Sequence, residues 1–292
     1  MNYKIEEADI NNIIIENEIR QLIKDAFNDR DLLPEKYIAN NIKSNASKPS
    51  FFLIAKENGK IIGCNAFIAN DFTLNNSNYV GYQSCWTATH PEHQGKKVFV
   101  TLFNEAKEIL KKNNAGFLYG IANNNSHPIF INKLGFTETP ANFIRIPNVL
   151  FLKNLFFSKE KINTENSLLV NEEQVKNYKE SQLPNKIKVV KYNNSWLWGK
   201  TIKKVIFGIP FRVFYVGGIQ LETEADIKPL INNTFKIHKA MVIQLTSCST
   251  NSNNKLFKRW KPSLHMNGFI FCNLNMPEFS NLNLMIGCID VF

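Results

Sequence analysis

The feature that most constrains the fold is the passage from a strand pattern to a helix pattern between residues 79 and 110. The segment YVGYQSCWTATH is typical of a strand, and VFVTLFNEAKEIL repeats apolar residues at helical spacing. Only the turn HPEHQGKK separates the two. Upstream, FFLIAKENGKIIGCNAFIAND contains two apolar strands joined at Asn58-Gly59, a strong hairpin signal. Strands and helices in this order indicate an α/β fold.

The rest of the chain extends this pattern into two parts. Further strands and helices are predicted up to FTETPANFIRI, including a short helix in NSHPIFINKLG that Ser126 could cap. After this the sequence becomes polar, and strand-and-turn patterns return near residue 190. We therefore predict a first domain over residues 1–147, a partly helical connector over 148–190 and a smaller C-terminal α/β domain over 191–292.

Composition narrows the classes of partner. The 292 residues carry a formal net charge of +10, but the basic residues are dispersed, which favours a small anionic ligand over nucleic acid. The five cysteines are widely spaced and form no C-x-x-C, so neither a disulfide framework nor a thiolate zinc site is expected. The acidic N-terminus does not resemble a signal peptide, and NVLFLKNLFF is too short to span a bilayer. We expect a cytoplasmic protein without a membrane span.

The turn before the central helix has the properties of an anion site. Backbone N–H groups from Gln94 to Phe99 precede the first helical hydrogen bond, and the helix dipole adds positive potential. Gly95 allows close approach of a ligand, and Lys96 and Lys97 add charge. An ordinary loop with solvated lysines is the alternative. His90 and His93 in HPEH lack a third ligand, so no metal is predicted.

This stretch resembles the acyl-CoA-binding loop of the GNAT acetyltransferases, whose pattern is Q/R-x-x-G-x-G/A. Here Lys97 and Phe99 replace the two later small residues. GIANNNSHPIFINKLGF resembles the G-x-P-N-x-x-S…K-L-G-F signature of a branch found with polysaccharide and amino-sugar genes, with Ala122 in place of proline. The resemblance covers residues 1–146. It implies a mixed, mostly antiparallel central sheet flanked by helices, and the C-terminal domain is then interpreted as a degenerate GNAT-like half.

The resemblance also implies an activity. It is transfer of an acetyl group from acetyl-CoA to an amine by direct attack, with an amino sugar or nucleotide-linked amino sugar favoured as acceptor. The strand with Cys85 would diverge from its neighbour and pair with the pantetheine arm. The residues implied to bind acetyl-CoA are Trp86, Thr87, Gln94, Gly95, Lys96, Lys97, Val98, Phe99, Asn123, Ser126 and Phe130.

Catalytic residues are less defined by the sequence. Many family members place a tyrosine where this chain has Ile131. Asp31 lies in the connection between the first two helices, where relatives recognise acceptors, and Cys85 is a polar candidate on the diverging strand. The chain also loosely resembles multi-domain acetyltransferases of the enhanced-intracellular-survival type, in which the C-terminal carboxylate acts as base. The third candidate is therefore Asp290 or the carboxylate of Phe292.

A second function stays open at this stage. The chain could be a GNAT-like fold that no longer catalyses and binds a glycan or protein partner. Lys97, Phe99 and Ile131 favour that alternative. The segment Gln94 to Lys96, with Asn123 and Ser126, favours the enzyme, because phosphate binding in such a loop relies mainly on the backbone.

Overall fold

The computed structural model of the chain describes residues 2–27, 31–43, 46–139, 141–149, 167–182, 186–206, 208–249, 261–262, 269–279 and 281–285. The predicted site residues Asp290 and Phe292 and much of the predicted connector lie outside these ranges. The helices are α1 Ile13–Ala26, α2 Tyr37–Asn41, α3 Val98–Lys112, α4 His127–Leu134, α5 Glu172–Gln182 and α6 Ile227–His238. The strands are β1 Lys4–Glu7, β2 Phe51–Glu57, β3 Lys60–Leu74, β4 Ser77–Thr89, β5 Phe117–Ile121, β6 Thr137–Thr139, β7 Ala141–Pro147, β8 Ser167–Val170, β9 Lys188–Tyr192, β10 Ser195–Ile206, β11 Ile209–Gln220, β12 Val242–Ser249, β13 Lys261–Pro262, β14 Phe269–Asn273 and β15 Asn281–Met285.

The chain divides into two compact units. The first comprises the described residues of Met1–Asp71, Tyr79–Glu138 and Ile270–Pro277, and the second those of Phe72–Asn78, Thr139–Phe269 and Glu278–Phe292. Each unit therefore draws on more than one stretch of sequence. The boundaries predicted at residues 147 and 190 stay a prediction.

The first unit is a sheet in the order β1-β2-β3-β4-β5-β14-β6. The β1–β2 and β2–β3 pairs are antiparallel, and β4 and β5 are parallel because α3 connects them. The β2–β3 hairpin turns at Asn58 and Gly59, both with positive φ, as the sequence predicted. One sheet face packs on α3 and α4, and the other packs on α1 and α2. This confirms the predicted mixed, mostly antiparallel sheet flanked by helices.

Helix α3 shows why the sequence pattern was informative. Its residues Val98, Leu102, Phe103, Ala106 and Leu110 are buried, as expected for one face of an amphipathic helix. The carboxyl-terminal residue of the helix is followed by Asn113-Asn114, and the chain then returns to the sheet as β5. The helix therefore covers the segment VFVTLFNEAKEIL in which the apolar spacing predicted it.

The second unit repeats part of this arrangement. Strands β9, β10 and β11 form an antiparallel meander, and α6 connects β11 to the parallel strand β12. On its other edge β12 pairs with β7. The order is β9-β10-β11-β12-β15-β8. The predicted helix near Ile227 to His238 is confirmed as α6, and its buried residues pack with β11, β12 and β7.

Candidate active site

The site begins where β4 and β5 stop pairing. Their parallel register covers only Gly81–Phe117, Tyr82–Leu118 and Gln83–Tyr119. Strand β4 continues to Thr89 and β5 to Ile121, and no described strand lies between them beyond this point. Two parallel strands that separate leave backbone N–H and C=O groups available for an extended ligand.

A distortion in β4 lies just past this divergence. Trp86 has a φ of 46°, a left-handed conformation that is rare for an aromatic residue. Cys85 and Trp86, although consecutive, both pack on the core under α1 and α2, so the strand alternation is broken. The ring of Trp86 lies edge-on to Tyr37 at 6.2 Å and stacks near Phe52 at 6.5 Å. Such local strain is concentrated at functional sites.

Three polar side chains on β3 and β4 surround this distortion. The Thr87 hydroxyl donates to Asn65 Oδ1 at 2.6 Å, and the Ser84 hydroxyl donates to the same oxygen at 3.2 Å. Asn65 is fully buried, and its Nδ2 has no partner among the described residues. The sequence analysis missed Asn65 and Ser84. The sequence signal that could have identified Asn65 was a single asparagine inside the otherwise apolar segment IIGCNAFIA.

The predicted anion loop has the expected backbone geometry. Gly95 and Lys97 have positive φ values of 77° and 64°, and a Cβ placed on Gly95 would meet only open space. The first helical hydrogen bond is donated by the Thr101 N–H to the Lys97 carbonyl. The N–H groups of Val98, Phe99 and Val100 precede this bond at the start of the helix. Helix-start N–H groups beside left-handed residues are typical of anion sites. Here the Gln94 and Lys96 N–H groups already donate to the Pro91 and His93 carbonyls.

Two contacts hold this loop against the sheet. His93 Nε2 lies 2.8 Å from Glu57 Oε2 on β2, and the His90 N–H donates to the Ile62 carbonyl at 2.9 Å. The described residues contain no cluster of three or more potential metal ligands. His90 and His93 therefore help to hold the loop against β2 and β3.

Aromatic packing explains Phe99 at a position usually held by a small residue. Its ring lies 4.9 Å from Phe103 and 5.3 Å from Phe130, so it packs against the core. Phe130 is only 4% exposed and also contacts Phe136. The predicted packing of Phe130 beside the cofactor arm stays a prediction, since the described contacts are those of a core residue.

Asn123 and Ser126 lie together at the start of α4. Asn123 Oδ1 accepts hydrogen bonds from the Ser126 N–H at 2.9 Å and from its hydroxyl at 3.0 Å, and the Asn123 N–H donates to Ser126 Oγ at 3.1 Å. Ser126 occupies the N-cap position but its side chain makes no cap hydrogen bond, so that expectation was wrong. The reason is that the Ser126 hydroxyl is engaged in the turn before the helix, where it donates a hydrogen bond to Asn123 Oδ1.

The candidate catalytic residues are dispersed. Asp31 is exposed in the connection between α1 and α2, Cys85 is half-buried on β4, and Phe292 lies outside the described residues. Tyr82 donates to the Pro49 carbonyl at 3.2 Å, and burial raises its pKa to about 12, so it stays protonated and structural. Ile131 is half-buried against the α3 face of the core.

Comparison with known proteins agrees with this geometry. Residues 15–139 match the model of the acetyltransferase (GNAT) domain. No curated protein matches the chain. Similar solved structures include a GCN5-related N-acetyltransferase from Kribbella flavida (TM-score 0.63, 9% identity, 94% of this chain and 72% of that chain). Eis1 from Mycobacterium abscessus has a TM-score of 0.59 at 10% identity, covering 94% and 74%.

A GCN5-related N-acetyltransferase from Anabaena variabilis is similar over the same extent, with a TM-score of 0.60, 10% identity and coverage of 94% and 73%. At these identities the likeness shows the fold. The match to the acetyltransferase (GNAT) domain covers residues 15–139, which is less than half of the 292-residue chain. No helix in the described ranges is long and apolar enough to cross a membrane.

Proposed function

We propose that the chain transfers an acetyl group from acetyl-CoA to an amine acceptor, because residues 15–139 match the model of the acetyltransferase (GNAT) domain. The observation that carries the proposal is the loop from Gln94 to Phe99. It combines the N–H groups at the start of α3 with Gly95 in a left-handed conformation, directly after the strand that diverges from β5. Those residues fit the pyrophosphate of a coenzyme A thioester.

The other predicted contacts belong to the same proposal. The backbone of β4 at Trp86 and Thr87 would pair with the pantetheine arm, and Lys96 and Lys97 would add charge at the phosphates. Asn123 and Ser126, at the carboxyl end of β5, would border the other side of the opening. Bound acetyl-CoA supplies the activated thioester that a neutral amine attacks.

The chain contributes mainly positioning and a polar environment. Asn65 holds the hydroxyls of Ser84 and Thr87, so the Trp86 distortion keeps its geometry. The amine must lose a proton, and Asp31, Cys85 and the Phe292 carboxylate are proposed as groups that accept it directly or through water. We propose an amino sugar or nucleotide-linked amino sugar as acceptor, on branch resemblance alone.

Calorimetric titration with acetyl-CoA tests the cofactor site. We expect low-micromolar binding by the parent protein and its loss in a Gly95→Val, Lys96→Glu double variant, because valine cannot readily adopt the left-handed conformation and glutamate repels phosphate. Lys228→Glu on the exposed surface of α6 is the matched control and should bind normally. Thiol release with a panel of amino sugars and other amines then identifies the acceptor.

The alternative function has a specific observation in its favour. Ile131 and Phe99 both contribute to the apolar core where active relatives would have a tyrosine and a small residue. Failure of the folded parent protein to bind acetyl-CoA would favour a glycan- or protein-binding module. If the protein binds acetyl-CoA but releases no coenzyme A thiol with any amine in the panel, the protein binds the cofactor without catalysing acetyl transfer.

A further inference from the structure

Glu16 on α1 is a buried carboxylate to which the proposed acetyl transfer assigns no role. Its side chain belongs to a residue that is only 1% exposed. Its Oε2 accepts a hydrogen bond from the Lys36 N–H at 2.9 Å, and its Oε1 accepts from the Ile38 N–H at 3.0 Å and the Ala39 N–H at 3.3 Å. A carboxylate is rarely buried unless such bonds replace its hydration. Glu16 therefore caps the start of α2 from a neighbouring helix.

Helix α2 needs such an anchor. It contains only five residues, which is too short for a helix to be stable by itself in water. Lys36, at its N-cap position, has a left-handed φ of 58° and makes no capping hydrogen bond with its side chain. A second anchor precedes the helix, because Arg20 Nε donates to the Leu33 carbonyl at 2.7 Å. Two buried polar side chains of α1, Glu16 and Arg20, thus fix the path of the chain into α2.

The first residue of α2 connects this anchor to β4. The Tyr37 ring meets the Trp86 ring edge-on at 6.2 Å, and Phe52 on β2 stacks near the same ring at 6.5 Å. A left-handed φ of 46° is unfavourable for an aromatic residue, so Trp86 keeps it only while its surroundings hold it. Phe52 is fixed within the sheet at 1% exposure. The Tyr37 contact instead depends on where α2 is placed.

We propose that Glu16 is a positioning residue for the coenzyme A thioester. By holding the start of α2 it keeps Tyr37 against Trp86, and this contact preserves the distortion in β4 beside the opening to β5. The inference rests on the proposed function, in which the backbone at Trp86 and Thr87 pairs with the pantetheine arm. Glu16 would act on the ligand only through Tyr37 and Trp86.

Calorimetry with two ligands tests this role in the full chain. Acetyl-CoA has a pyrophosphate and a pantetheine arm, whereas ADP has the pyrophosphate alone. We expect Glu16→Gln to weaken acetyl-CoA binding severalfold and to leave ADP binding unchanged, because glutamine replaces one acceptor oxygen with a donor amide that faces the N–H groups of α2. Glu18→Gln, at an exposed residue of α1, is the matched control and should bind both ligands as the parent does. Equal losses for both ligands, or no loss for acetyl-CoA, would overturn the proposal.

Fluorine NMR reports the link to Trp86 without a ligand. In protein labelled with fluorotryptophan, Trp86→Phe identifies the Trp86 signal. Glu16→Gln should shift or broaden this signal and leave the other tryptophan signals unchanged, which a general loss of stability in a folded protein would not do. Tyr37→Ala keeps the Glu16 carboxylate and should perturb the same signal. An unchanged Trp86 signal in both variants would contradict the assignment.

The double variant separates action through Tyr37 from an independent structural role. Adding Glu16→Gln to Tyr37→Ala should weaken acetyl-CoA binding no further, because the two residues act in series, whereas additive losses would contradict the proposed link. A folded parent protein that does not bind acetyl-CoA would overturn the proposed function and the ligand part of this inference. The fluorine signal would still decide whether Glu16 sets the position of Trp86.

Discussion

The left-handed backbone conformation at Lys97 favours glycine, whereas the proposed binding of an anion favours a lysine side chain. Its φ of 64° lies in the left-handed region, which costs a residue with a Cβ roughly 1–2 kcal/mol relative to glycine. Its ammonium would add positive charge beside the proposed pyrophosphate. The family pattern has glycine at this position. Lysine adds a positive charge here but adopts a backbone conformation that is less favourable for it than for glycine.

Comparison of Lys97→Gly with Lys97→Ala separates the two effects. Both variants remove the charge, but only glycine removes the strain. We expect Lys97→Gly to stabilise the protein by about 0.5–1 kcal/mol after the entropy of glycine is allowed for, and Lys97→Ala to give no such gain. Urea unfolding measures the difference. Equal stability of the two variants would argue against strain at this position.

Glu172, at the start of α5, is predicted to make stability depend on pH. Burial raises its pKa to about 8 from 4.5, and the hydrogen bond from Trp198 Nε1 only partly offsets this. The folded protein therefore retains a proton that the unfolded chain releases above pH 4.5. The stabilisation from this proton is fully present below pH 4.5 and is lost as pH rises through 8.

Glu172→Gln should flatten this pH dependence. We expect the variant to lose less unfolding free energy than the parent between about pH 5 and pH 9, because glutamine does not titrate. Glu173→Gln changes the exposed neighbour and is the matched control. Thermal melting at several pH values is the measurement, and parallel curves for parent and Glu172→Gln would contradict the pKa shift.

At the scale of elements, β14 shows that a strand far along the chain completes the first unit. Ile270 is 1% exposed in the core beneath α3, and the backbone N–H groups of Leu274 and Asn275 donate to the Gly116 carbonyl. Ile270→Ala should destabilise the protein by about 2–5 kcal/mol through the cavity it leaves. Ile237→Ala, at a residue 60% exposed, should change stability by less than about 0.5 kcal/mol.

The same element marks the limit of prediction from sequence. The helix α3 and the β2–β3 hairpin were predictable because periodicity and Asn58-Gly59 are local signals. The placements of β7 and β14 were not, because a short apolar run encodes burial but not the identity of its partner. Likewise the turn and Gly95 indicate the left-handed backbone before α3, whereas the Trp86 distortion depends on the packing of β4 against the core under α1 and α2, which no local signal encodes.

Across the whole molecule, the two units share a strand–helix–strand arrangement but differ at the opening beside it. In the first unit β4 and β5 part after three pairs, and no described strand enters the opening. In the second unit β11 leaves β12 after Val216, and β15 then pairs with β12 at Ser247 to Ser249. The opening that would accept an extended ligand is therefore occupied by the chain itself.

The starts of the two connecting helices differ as well. The difference at the opening and the difference at the helix start both predict that one acetyl-CoA binds per chain. Before α6 the Asp226 carboxylate accepts hydrogen bonds from Ser195 and the Thr223 N–H, which lowers its pKa and keeps it negative. A carboxylate at a helix start repels phosphate, whereas Lys96 and Lys97 attract it. Calorimetric titration with acetyl-CoA should give a stoichiometry of one per chain. The Gly95→Val, Lys96→Glu double variant should not bind acetyl-CoA. Two sites per chain would show that β15 yields to the cofactor and that the second unit binds it too.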